Sequence, residues 1–325
     1  MKCLRTQVLH LAACAALLPM ATTIDPVWPQ AQRTIKVVVP FAAGGGSDIL
    51  ARLLGEQIGR AHGVTIVVEN RPGAGTVIGT EAVARAVPDG NTVLMVANSF
   101  IINPALQKRN YDPLTSFEPL CHLTRSPNVI AVHSASPHRT LPDLINAARA
   151  KPGDVTMAFN GPATSQHIGY EKLRRAANIN LLPVTFPGGA PAVNALLGQH
   201  VASIFVNYPS ASEHIEAGKL RALATASLKR IESLPDVPTV AELGYPDFEE
   251  DTWFGVVAPA KTPGQVVAQL TGWFGSAVIT PELKPKLAIQ GFSAAGACGG
   301  DFASFLQKHY DDYARIIREA NIRAE

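Results

Sequence analysis

Charged and aromatic side chains are scarce in this chain of 325 residues, at 17% for Asp, Glu, Lys and Arg together and 6% for Phe, Trp and Tyr. Lys and Arg number 28 against 26 Asp and Glu, and the excess is accounted for by Lys2 and Arg5, because the first 21 residues contain no acid. The rest of the chain is neutral. Nucleic acids and acidic membrane surfaces are bound through concentrated Lys and Arg. We therefore exclude both as partners.

Motifs for nucleotide, metal and acyl-transfer chemistry are also missing. The chain has no G-x-x-x-x-G-K-[ST] loop, no G-x-S-x-G, no S-x-x-K, no H-E-x-x-H and no C-x-x-C. Its first glycine loop, Gly44-Gly45-Gly46-Ser47-Asp48-Ile49, does not fit G-x-G-x-x-G. Three histidines near one another, His122, His133 and His138, have no Cys or paired carboxylates with them. We expect no cofactor and no metal.

Long apolar runs are limited to one short segment at the N-terminus. Lys2 and Arg5 precede an apolar run over residues 8–18, and small residues follow around Ala21. This order is typical of a secretory signal peptide, which we place at residues 1–25 with cleavage between about 21 and 31. An alternative is lipid attachment at Cys14, since Leu11-Ala12-Ala13-Cys14 resembles a lipobox. In either case the mature protein is expected in the periplasm.

Cysteines are few, and two of the four, Cys3 and Cys14, belong to the leader. Cys121 and Cys298 remain. In an oxidising compartment they could form a disulfide, but two buried thiols explain them equally well, because the sequence does not reveal the geometry that a disulfide needs.

What the chain does have is 47% hydrophobic residues, with 25 prolines and 26 glycines spread along it. That apolar content suffices for a folded protein, and the length suits two domains of ordinary size. Strand-like and helix-like segments alternate from residue 34 onwards, which is typical of a parallel, doubly wound α/β sheet. The predicted strands cover residues 34–41, 64–69, 92–97, 129–133, 155–159, 182–186, 202–206, 220–225 and 253–258. The predicted helices cover residues 49–58, 76–86, 141–150, 166–177, 191–198, 211–217, 263–278 and 301–321.

The order of these segments predicts two α/β lobes that the chain connects by two crossings. The first lobe takes residues 34–128 and 254–325, and the second takes residues 129–253.

Four strand-to-helix loops are rich in glycine or small residues, and all but the third also carry hydroxyls: residues 42–48, 160–165, 187–190 and 207–210. Helix N-termini carry unpaired N–H groups and a partial positive charge, so they bind anions without Lys or Arg. In α/β sheets such loops lie together outside the strand ends. The sequence therefore predicts a carboxylate or phosphate site between the lobes, although any one of these glycines could serve only a tight turn.

A series of short motifs runs in the same order from about Trp28 to the C-terminus. They comprise VPFAAGGGSDI (39–49), ENRPGAG (69–75), PDG (88–90), NPAL (103–106), KPG (151–153), GPATSQH (161–167), GAPA (189–192), AGKLRALA (217–224), LPDVPT (234–239) and WFG (253–255). Together they resemble the Bug family, the extracytoplasmic solute receptors of tripartite tricarboxylate transporters.

The resemblance implies a two-lobed fold of the periplasmic binding-protein type, similar to type II, with a ligand cleft between two doubly wound lobes. It implies a non-enzymatic, monomeric receptor that captures a small carboxylate and hands it to the membrane subunits of the transporter. A carboxylate-acting enzyme and a sensor that contacts a signalling partner are the alternatives. The implied ligand-binding residues are Phe41, Ala43, Gly45, Gly46, Ser47, Asp48, Ser99, Thr164, Ser165, His167, Phe186, Gly188, Gly189, Ala190 and Asn207.

Two positions depart from the pattern of many relatives. Phe186-Pro187-Gly188 stands where Tyr-Lys-Gly is common, and Phe205-Val206-Asn207 stands where Phe-Asp-Asn is common. One hypothesis is that Val206, by removing a carboxylate, disfavours ligands with an ammonium group and favours plain or aromatic carboxylates. The alternative is that Val206 packs into the core.

Overall fold

The computed structural model describes residues 33–319. The predicted leader and the possible lipid attachment at Cys14 lie outside these residues. Within them the strands form one six-stranded and one five-stranded sheet. The strands of the first sheet are β1 (Thr34–Val39), β2 (Thr65–Asn70), β3 (Thr92–Ala97), β4 (Phe117–Ser126), β10 (Thr252–Pro259) and β11 (Ser293–Cys298). Those of the second are β5 (Asn128–His133), β6 (Thr156–Phe159), β7 (Leu182–Thr185), β8 (Ser203–Asn207) and β9 (Leu220–Thr225).

Helices follow most of these strands along the chain. They are α1 (Gly46–His62), α2 (Val77–Ala84), α3 (Ser99–Leu106), α4 (Leu141–Ala150), α5 (Ser165–Ala176), α6 (Gly189–Leu197), α7 (Ser212–Glu216), α8 (Gly264–Val278), α9 (Lys284–Ile289) and α10 (Gly300–Glu319). Single 3₁₀ turns occupy Ala74–Thr76 and Tyr208–Ser210. None of the helices between residues 33 and 319 combines the length and apolar character needed to cross a membrane.

Both sheets mix parallel and antiparallel pairs. The first has the order β11-β4-β10-β3-β1-β2, in which β1 is parallel to β2 and β3 while β10 is antiparallel to β3 and β4. The second has the order β7-β6-β8-β5-β9, in which β6 is parallel to β7 and β8 while β5 is antiparallel to β8 and β9. Each sheet thus contains the parallel strands that the sequence predicts and adds antiparallel strands beside them. The strands that follow the two crossings, β5 and β10, run opposite to the parallel strands of their sheets.

Four segments of regular structure were not expected from the sequence: α3, β4, α9 and β11. Helix α3 contains Pro104, which argues locally against a helix. Strand β4 includes Pro119, His122 and Arg125 and so lacks the β-branched run of a buried strand. Strand β11 consists largely of small residues and is mostly exposed, so it carries no hydrophobic pattern at all.

Hydrophobic clusters cover both faces of each sheet. In the first sheet one face packs on α1 and α8 through residues such as Leu50 and Phe274, and the other packs on α3 and α10 through residues such as Phe100 and Phe302. The second sheet is covered by α4 and α5 on one face and by α6 on the other. Sheets buried on both faces are the rule where helices flank parallel strands.

The chain passes twice between the sheets, through Pro127 between β4 and β5 and through residues 226–251 between β9 and β10. The second passage is hydrogen-bonded to the start of β5, directly after the first passage, because the Asn128 Nδ2 donates to the backbone carbonyl of Glu250 at 2.6 Å. The lobe boundaries near residues 128 and 253 stay a prediction. The chain moves from one sheet to the other close to both of these positions.

The second passage carries two buried acids. The Glu250 carboxylate accepts a hydrogen bond from the Tyr313 hydroxyl of α10 at 2.9 Å and lies 3.3 Å from Lys172 Nζ of α5. Burial nevertheless raises the pKa of Glu250 to about 7, because desolvation outweighs both partners. Burial likewise raises the pKa of Asp251 to about 6, against a hydrogen bond from Ser227.

Cys121 and Cys298 form a disulfide, which decides between the two possibilities left open by the sequence. They are register partners on the antiparallel neighbours β4 and β11. The bond therefore ties the edge strand of the first sheet to the strand beside it.

Candidate functional site

Four helices begin at one place between the sheets. Each follows the carboxyl end of a parallel strand: α1 follows β1, α3 follows β3, α5 follows β6 and α6 follows β7. A cavity at this place is lined by the first residues of these helices and by the caps before them. Its lining consists of Phe41, Gly45, Gly46, Ser47, Ala97, Asn98, Ser99, Asn160, Thr164, Ser165, Gln166, Gly189, Asn207, Ser210, Thr252 and Phe254.

The first turn of α1 is left without a side-chain cap. Gly45 occupies the N-cap position and has no hydroxyl or carboxylate to offer the N–H groups that follow. The Gly46 N–H instead donates to the Ser210 hydroxyl of the opposite sheet at 3.2 Å. Ser47 is buried and lines the cavity. This turn therefore presents a hydroxyl and a helix N-terminus to the cavity.

Asp48 supports the same loop from behind, and it does not line the cavity. Its carboxylate accepts hydrogen bonds from the Gly44 N–H at 2.9 Å, from Arg52 at 3.0 Å and from the Asn70 amide at 3.0 Å. Burial on its own would raise the pKa of Asp48, but these hydrogen bonds together with the charge of Arg52 lower it. Asp48 is therefore ionised and holds the loop in place. The sequence predicts Asp48 as a ligand-binding residue and gives no sign of this supporting role.

Asn98 and Ser99 close the cavity at the end of β3. The Asn98 amide spans to the second passage, since its Nδ2 donates to the Asp251 carbonyl at 3.2 Å and its Oδ1 accepts from the Trp253 N–H at 3.0 Å. The Ser99 hydroxyl accepts from the Thr76 hydroxyl at 3.1 Å. The start of α3 is thus held by its own sheet and by the passage between the sheets.

The start of α5 is capped by Thr164, whose hydroxyl accepts from the His167 N–H at 3.2 Å. The hydroxyls of Ser165 and Thr252 lie 2.9 Å apart, and the Gln166 Nε2 donates to the Thr252 hydroxyl at 2.8 Å. Because Thr252 begins β10, these bonds join the second sheet to the strand that returns to the first.

The N-terminus of α6 lies beside the end of β8. The Ser210 hydroxyl donates to Asn207 Oδ1 at 2.5 Å while it accepts from the Gly46 N–H. A Cβ added at Gly189 would lie 2.3 Å from the Ser210 hydroxyl oxygen, and one added at Gly46 would lie 2.0 Å from Asn207 Nδ2. Glycine at both positions lets the loops come this close, because any larger residue would displace the Ser210 or the Asn207 side chain.

The loops of the two sheets touch in this structure. In addition to the contact between Gly46 and Ser210, the Ala42 N–H donates to the Pro187 carbonyl at 3.1 Å. The cavity that they enclose has a volume of about 20 Å³, roughly the space of one water molecule. Any larger ligand therefore needs these loops to part before it enters.

Within the described part of the chain, residues 33–319, no charged residue lines the cavity. Each helix N-terminus contributes a partial positive charge of about half an elementary charge together with free N–H groups. Hydroxyls of Ser47, Ser99 and Ser165 add neutral hydrogen-bonding groups. Such a lining suits an anion, which would be held by dipoles and hydroxyls rather than by an ion pair. Among residues 33–319 no three His, Cys, Asp or Glu side chains are grouped so that they could hold a metal ion.

Nine of the residues predicted from the sequence line the cavity: Phe41, Gly45, Gly46, Ser47, Ser99, Thr164, Ser165, Gly189 and Asn207. Ala43, Asp48, His167, Phe186, Gly188 and Ala190 do not. The His167 ring stacks on Phe159 with centroids 5.5 Å apart, and its Nδ1 accepts from the Ala163 N–H. Phe186 lies beside Phe41 around a neighbouring cavity. For all fifteen residues, contact with a ligand stays a prediction.

Val206 belongs to a fully buried hydrophobic cluster of the second sheet and does not line the cavity. Of the two alternatives for this residue, the structure shows the one in which it packs into the core. The suggestion that Val206 selects against ammonium groups therefore loses its basis.

Seven lining residues were not predicted: Ala97, Asn98, Asn160, Gln166, Ser210, Thr252 and Phe254. Most of them are sequence neighbours of predicted residues or lie in predicted loops, as Ser210 does. The local sequence signal of those loops therefore extends to them. Thr252 and Phe254 are different. They begin a strand that only the tertiary fold brings to the cavity.

Known proteins and a family model match this chain over most of its length. The family model described as tripartite tricarboxylate transporter family receptor matches residues 50–322. The structure of the periplasmic binding protein BugD is 33% identical and superposes with a TM-score of 0.87, covering 92% of this chain and 100% of that one. The two-lobed fold predicted from the sequence is thereby confirmed.

Two further similar structures contain ligands. Rpa4515 of R. palustris with adipate has 28% identity and a TM-score of 0.86, and the match covers 91% of this chain and 99% of that chain. MatC of Rhodopseudomonas palustris with bound malate has 28% identity and a TM-score of 0.82, covering 89% of this chain and 100% of that one. Both ligands are dicarboxylates.

Proposed function

The chain belongs to the tripartite tricarboxylate transporter receptor family, and we propose that it captures a small carboxylate in the cavity between its sheets and delivers it to the membrane subunits of such a transporter. The family resemblance drawn from the motifs is confirmed. Because the family consists of periplasmic receptors, this chain is a solute-binding protein and not an enzyme.

One observation carries the proposal: four helix N-termini and several hydroxyls surround a cavity without a single charged lining residue. A carboxylate placed there would accept hydrogen bonds from N–H groups and hydroxyls, while the helix dipoles offset its charge. A cationic ligand would be buried against positive dipoles with no carboxylate to pair with, which is costly. The lining therefore favours an anion.

Ligand entry requires an opening motion, since the cavity holds only about 20 Å³ when the loops touch. The two passages near Pro127 and Glu250 are the covalent connections between the sheets, so a hinge motion about them would separate the loop around Gly46 from Ser210 and Asn207. Closing over the ligand would then remove water from the carboxylate and strengthen its hydrogen bonds. In this proposal the closed form is the one that the transporter subunits recognise.

We place the mature chain in the periplasm as a monomer. The composition of the first 25 residues, the periplasmic location of relatives such as BugD and the disulfide between Cys121 and Cys298 support export, because disulfides persist in oxidising compartments. The binding cavity is built from one chain alone. Light scattering coupled to size exclusion should therefore give the mass of one chain with and without ligand.

The test is a thermal-shift screen of the exported protein against small mono-, di- and tricarboxylates, followed by calorimetric titration of each hit. We expect at least one carboxylate to raise the melting temperature in a concentration-dependent way. Ser47→Ala should weaken that hit roughly 5- to 20-fold through the loss of one hydrogen bond to a charged group. Ser304→Ala, an exposed serine on α10, is the matched control and should bind as the unmodified protein does. The proposal fails if no carboxylate binds, or if Ser47→Ala and Ser304→Ala bind with equal affinity.

A further inference from the structure

Asn160, which follows β6 and lines the cavity, has an acceptor without a donor. Its Oδ1 is shielded from solvent and receives no hydrogen bond from any group in residues 33–319. A buried carbonyl oxygen left in this state costs free energy, so such atoms in native proteins normally have a partner. Among residues 33–319 the Asn160 oxygen therefore has no donor, and a bound ligand can supply one.

The orientation of the Asn160 amide follows from a relay of hydrogen bonds that begins at the passage between the sheets. The Glu250 backbone carbonyl can only accept, so the group of Asn128 that faces it at 2.6 Å must be the Nδ2. Asn128 Oδ1 is then directed the other way. It accepts from the Gln166 Nε2 at 2.7 Å and from the Thr252 hydroxyl at 2.8 Å.

The relay continues through Gln166 to the cavity. Since the Nε2 of Gln166 faces Asn128, its Oε1 is left to accept from Asn160, whose Nδ2 lies 3.2 Å away. The donor group of Asn160 is therefore committed, and a flip of the amide would set two oxygens against each other at that distance. Asn160 Oδ1 is thus fixed as an acceptor on a side chain that lines the cavity.

We propose that Asn160 is a specificity-determining residue and that the ligand is a hydroxy-substituted carboxylate whose hydroxyl donates to Asn160 Oδ1. This inference rests on the proposed function and adds the class of carboxylate. In it the carboxylate lies among the helix N-termini and the hydroxyl completes the relay from Glu250. A plain carboxylate would leave the acceptor unpaired in the closed cavity.

An ammonium group could also donate, but the surroundings of the cavity do not suit it. No lining residue is acidic, and the nearby carboxylate of Asp48 is already engaged by Gly44, Arg52 and Asn70. A buried ammonium without a carboxylate partner carries a large desolvation cost. A hydroxyl donates equally well and brings no charge, so it is the donor that this lining accepts.

The test compares ligand pairs that differ by one hydroxyl: malate with succinate, 2-hydroxyglutarate with glutarate, and mandelate with phenylacetate. Calorimetric titration of the exported, unmodified protein should show the hydroxy acid of the pair that binds to be at least about tenfold tighter, because the plain acid leaves a buried acceptor unpaired. In Asn160→Ala the ratio should fall below about threefold. Asn194→Ala, an exposed asparagine on α6, is the matched control and should keep the full ratio.

The outcomes separate this inference from the proposed function. If carboxylates bind but the hydroxy and plain members of a pair bind equally, or if the preference survives in Asn160→Ala, the role of Asn160 is wrong and the receptor function stands. If no carboxylate binds, the proposed function fails and the inference with it. The preference of the unmodified protein needs no variant, so a misfolded Asn160→Ala, recognised by circular dichroism, would not prevent a decision.

Discussion

The Gly46 N–H donates a hydrogen bond to the Ser210 hydroxyl at 3.2 Å, although the two residues are 164 positions apart and belong to loops of different sheets. Ser210 also donates to Asn207 Oδ1. The N-terminus of α1 is thereby fastened to the end of β8. Any widening of the cavity must break this contact, and any closure over a ligand must bring the same two loops together again.

The first prediction concerns the space between these loops. In Gly46→Ala the new Cβ would lie 2.0 Å from Asn207 Nδ2, a distance that no relaxed structure tolerates. The loops would therefore stay apart, and we expect carboxylate affinity to fall about 10- to 100-fold. The variant should remain folded, since the severe overlap is with the Asn207 side chain of the opposite loop, whereas the Phe254 ring of its own sheet lies 3.3 Å from the new Cβ. Titration calorimetry and small-angle X-ray scattering with and without ligand measure both effects.

Gly272→Ala provides the control for Gly46→Ala. Gly272 is an exposed residue of α8, and an added Cβ there meets nothing within 4 Å. Alanine should stabilise that helix by up to about 1 kcal/mol and leave affinity unchanged. Unaltered binding by Gly46→Ala would mean that the loops need not approach this closely around a ligand.

The second prediction concerns the support of the first loop. Asp48→Asn replaces a buried, ionised carboxylate that accepts from Gly44, Arg52 and Asn70. We expect the free energy of unfolding at pH 7 to fall by about 2–4 kcal/mol, since a network around a charged group is broken. The folded state lowers the pKa of Asp48, so its stabilising contribution is present above the unfolded value of 3.8 and is lost as the pH falls below it.

Urea unfolding checks this prediction. The difference between the unmodified protein and Asp48→Asn should be large at pH 7 and smaller near pH 3. Asp236→Asn, in an exposed turn, should match the unmodified protein at both values. A constant difference at every pH would show that the charge of Asp48 is not what stabilises the loop.

The loops that form the cavity could be predicted because each has a local signal. Gly45-Gly46-Ser47 and Thr164-Ser165 combine small residues with hydroxyls between a strand and a helix, and Gly188-Gly189 supplies small residues at such a place. The carboxyl ends of parallel strands meet at one edge of a sheet. The structure of the segment after β3 was predicted less well. Ser99 was named through the family resemblance, but helix α3 was not recognised because Pro104 interrupts its pattern.

Other features depend on contacts between distant residues. Thr252 and Phe254 reach the cavity because β10 returns antiparallel beside β3, and no local pattern records the direction of a strand. Every residue of β8 is buried, so its sequence lacks the alternation that would have assigned Val206 to the core. The pairing of Cys121 with Cys298 likewise depends on β11 lying beside β4.

The third prediction concerns this disulfide. Replacing both cysteines by alanine, or reducing the bond, should lower the free energy of unfolding by about 2–5 kcal/mol, because the bond closes a long loop of chain in the unfolded state. Urea unfolding of the exported protein with and without dithiothreitol measures the effect. The double variant serves as its own control, since the reductant should not alter its midpoint. An equal midpoint for the unmodified protein in both conditions would show that the bond does not stabilise the fold.

The last prediction concerns pH and the passage between the sheets. Folding raises the pKa of Glu250 to about 7 from an unfolded value of 4.5. Between these values the folded chain holds a proton that the unfolded chain has released, so the free energy of unfolding falls as the pH rises, by an amount on the order of 3 kcal/mol. Lys172 and Tyr313 oppose the shift, whereas the neighbouring Asp251 adds to it.

Glu250→Gln should remove the part of this dependence that belongs to Glu250, which lies between about pH 4.5 and pH 7. The amide keeps an acceptor for Tyr313 and cannot ionise, so the variant should be the more stable of the two proteins at pH 8 and close to the unmodified protein at pH 5. Below pH 6 the free energy of unfolding of the variant should still depend on pH, because the pKa of Asp251 is raised to about 6. Glu249→Gln, the exposed neighbour, should keep the dependence that belongs to Glu250 and should change only the part of Asp251, whose pKa the charge of Glu249 helps to raise. Parallel curves of unfolding free energy against pH for Glu250→Gln and the unmodified protein would show that Glu250 ionises normally in the folded chain, and that water reaches the passage between the sheets.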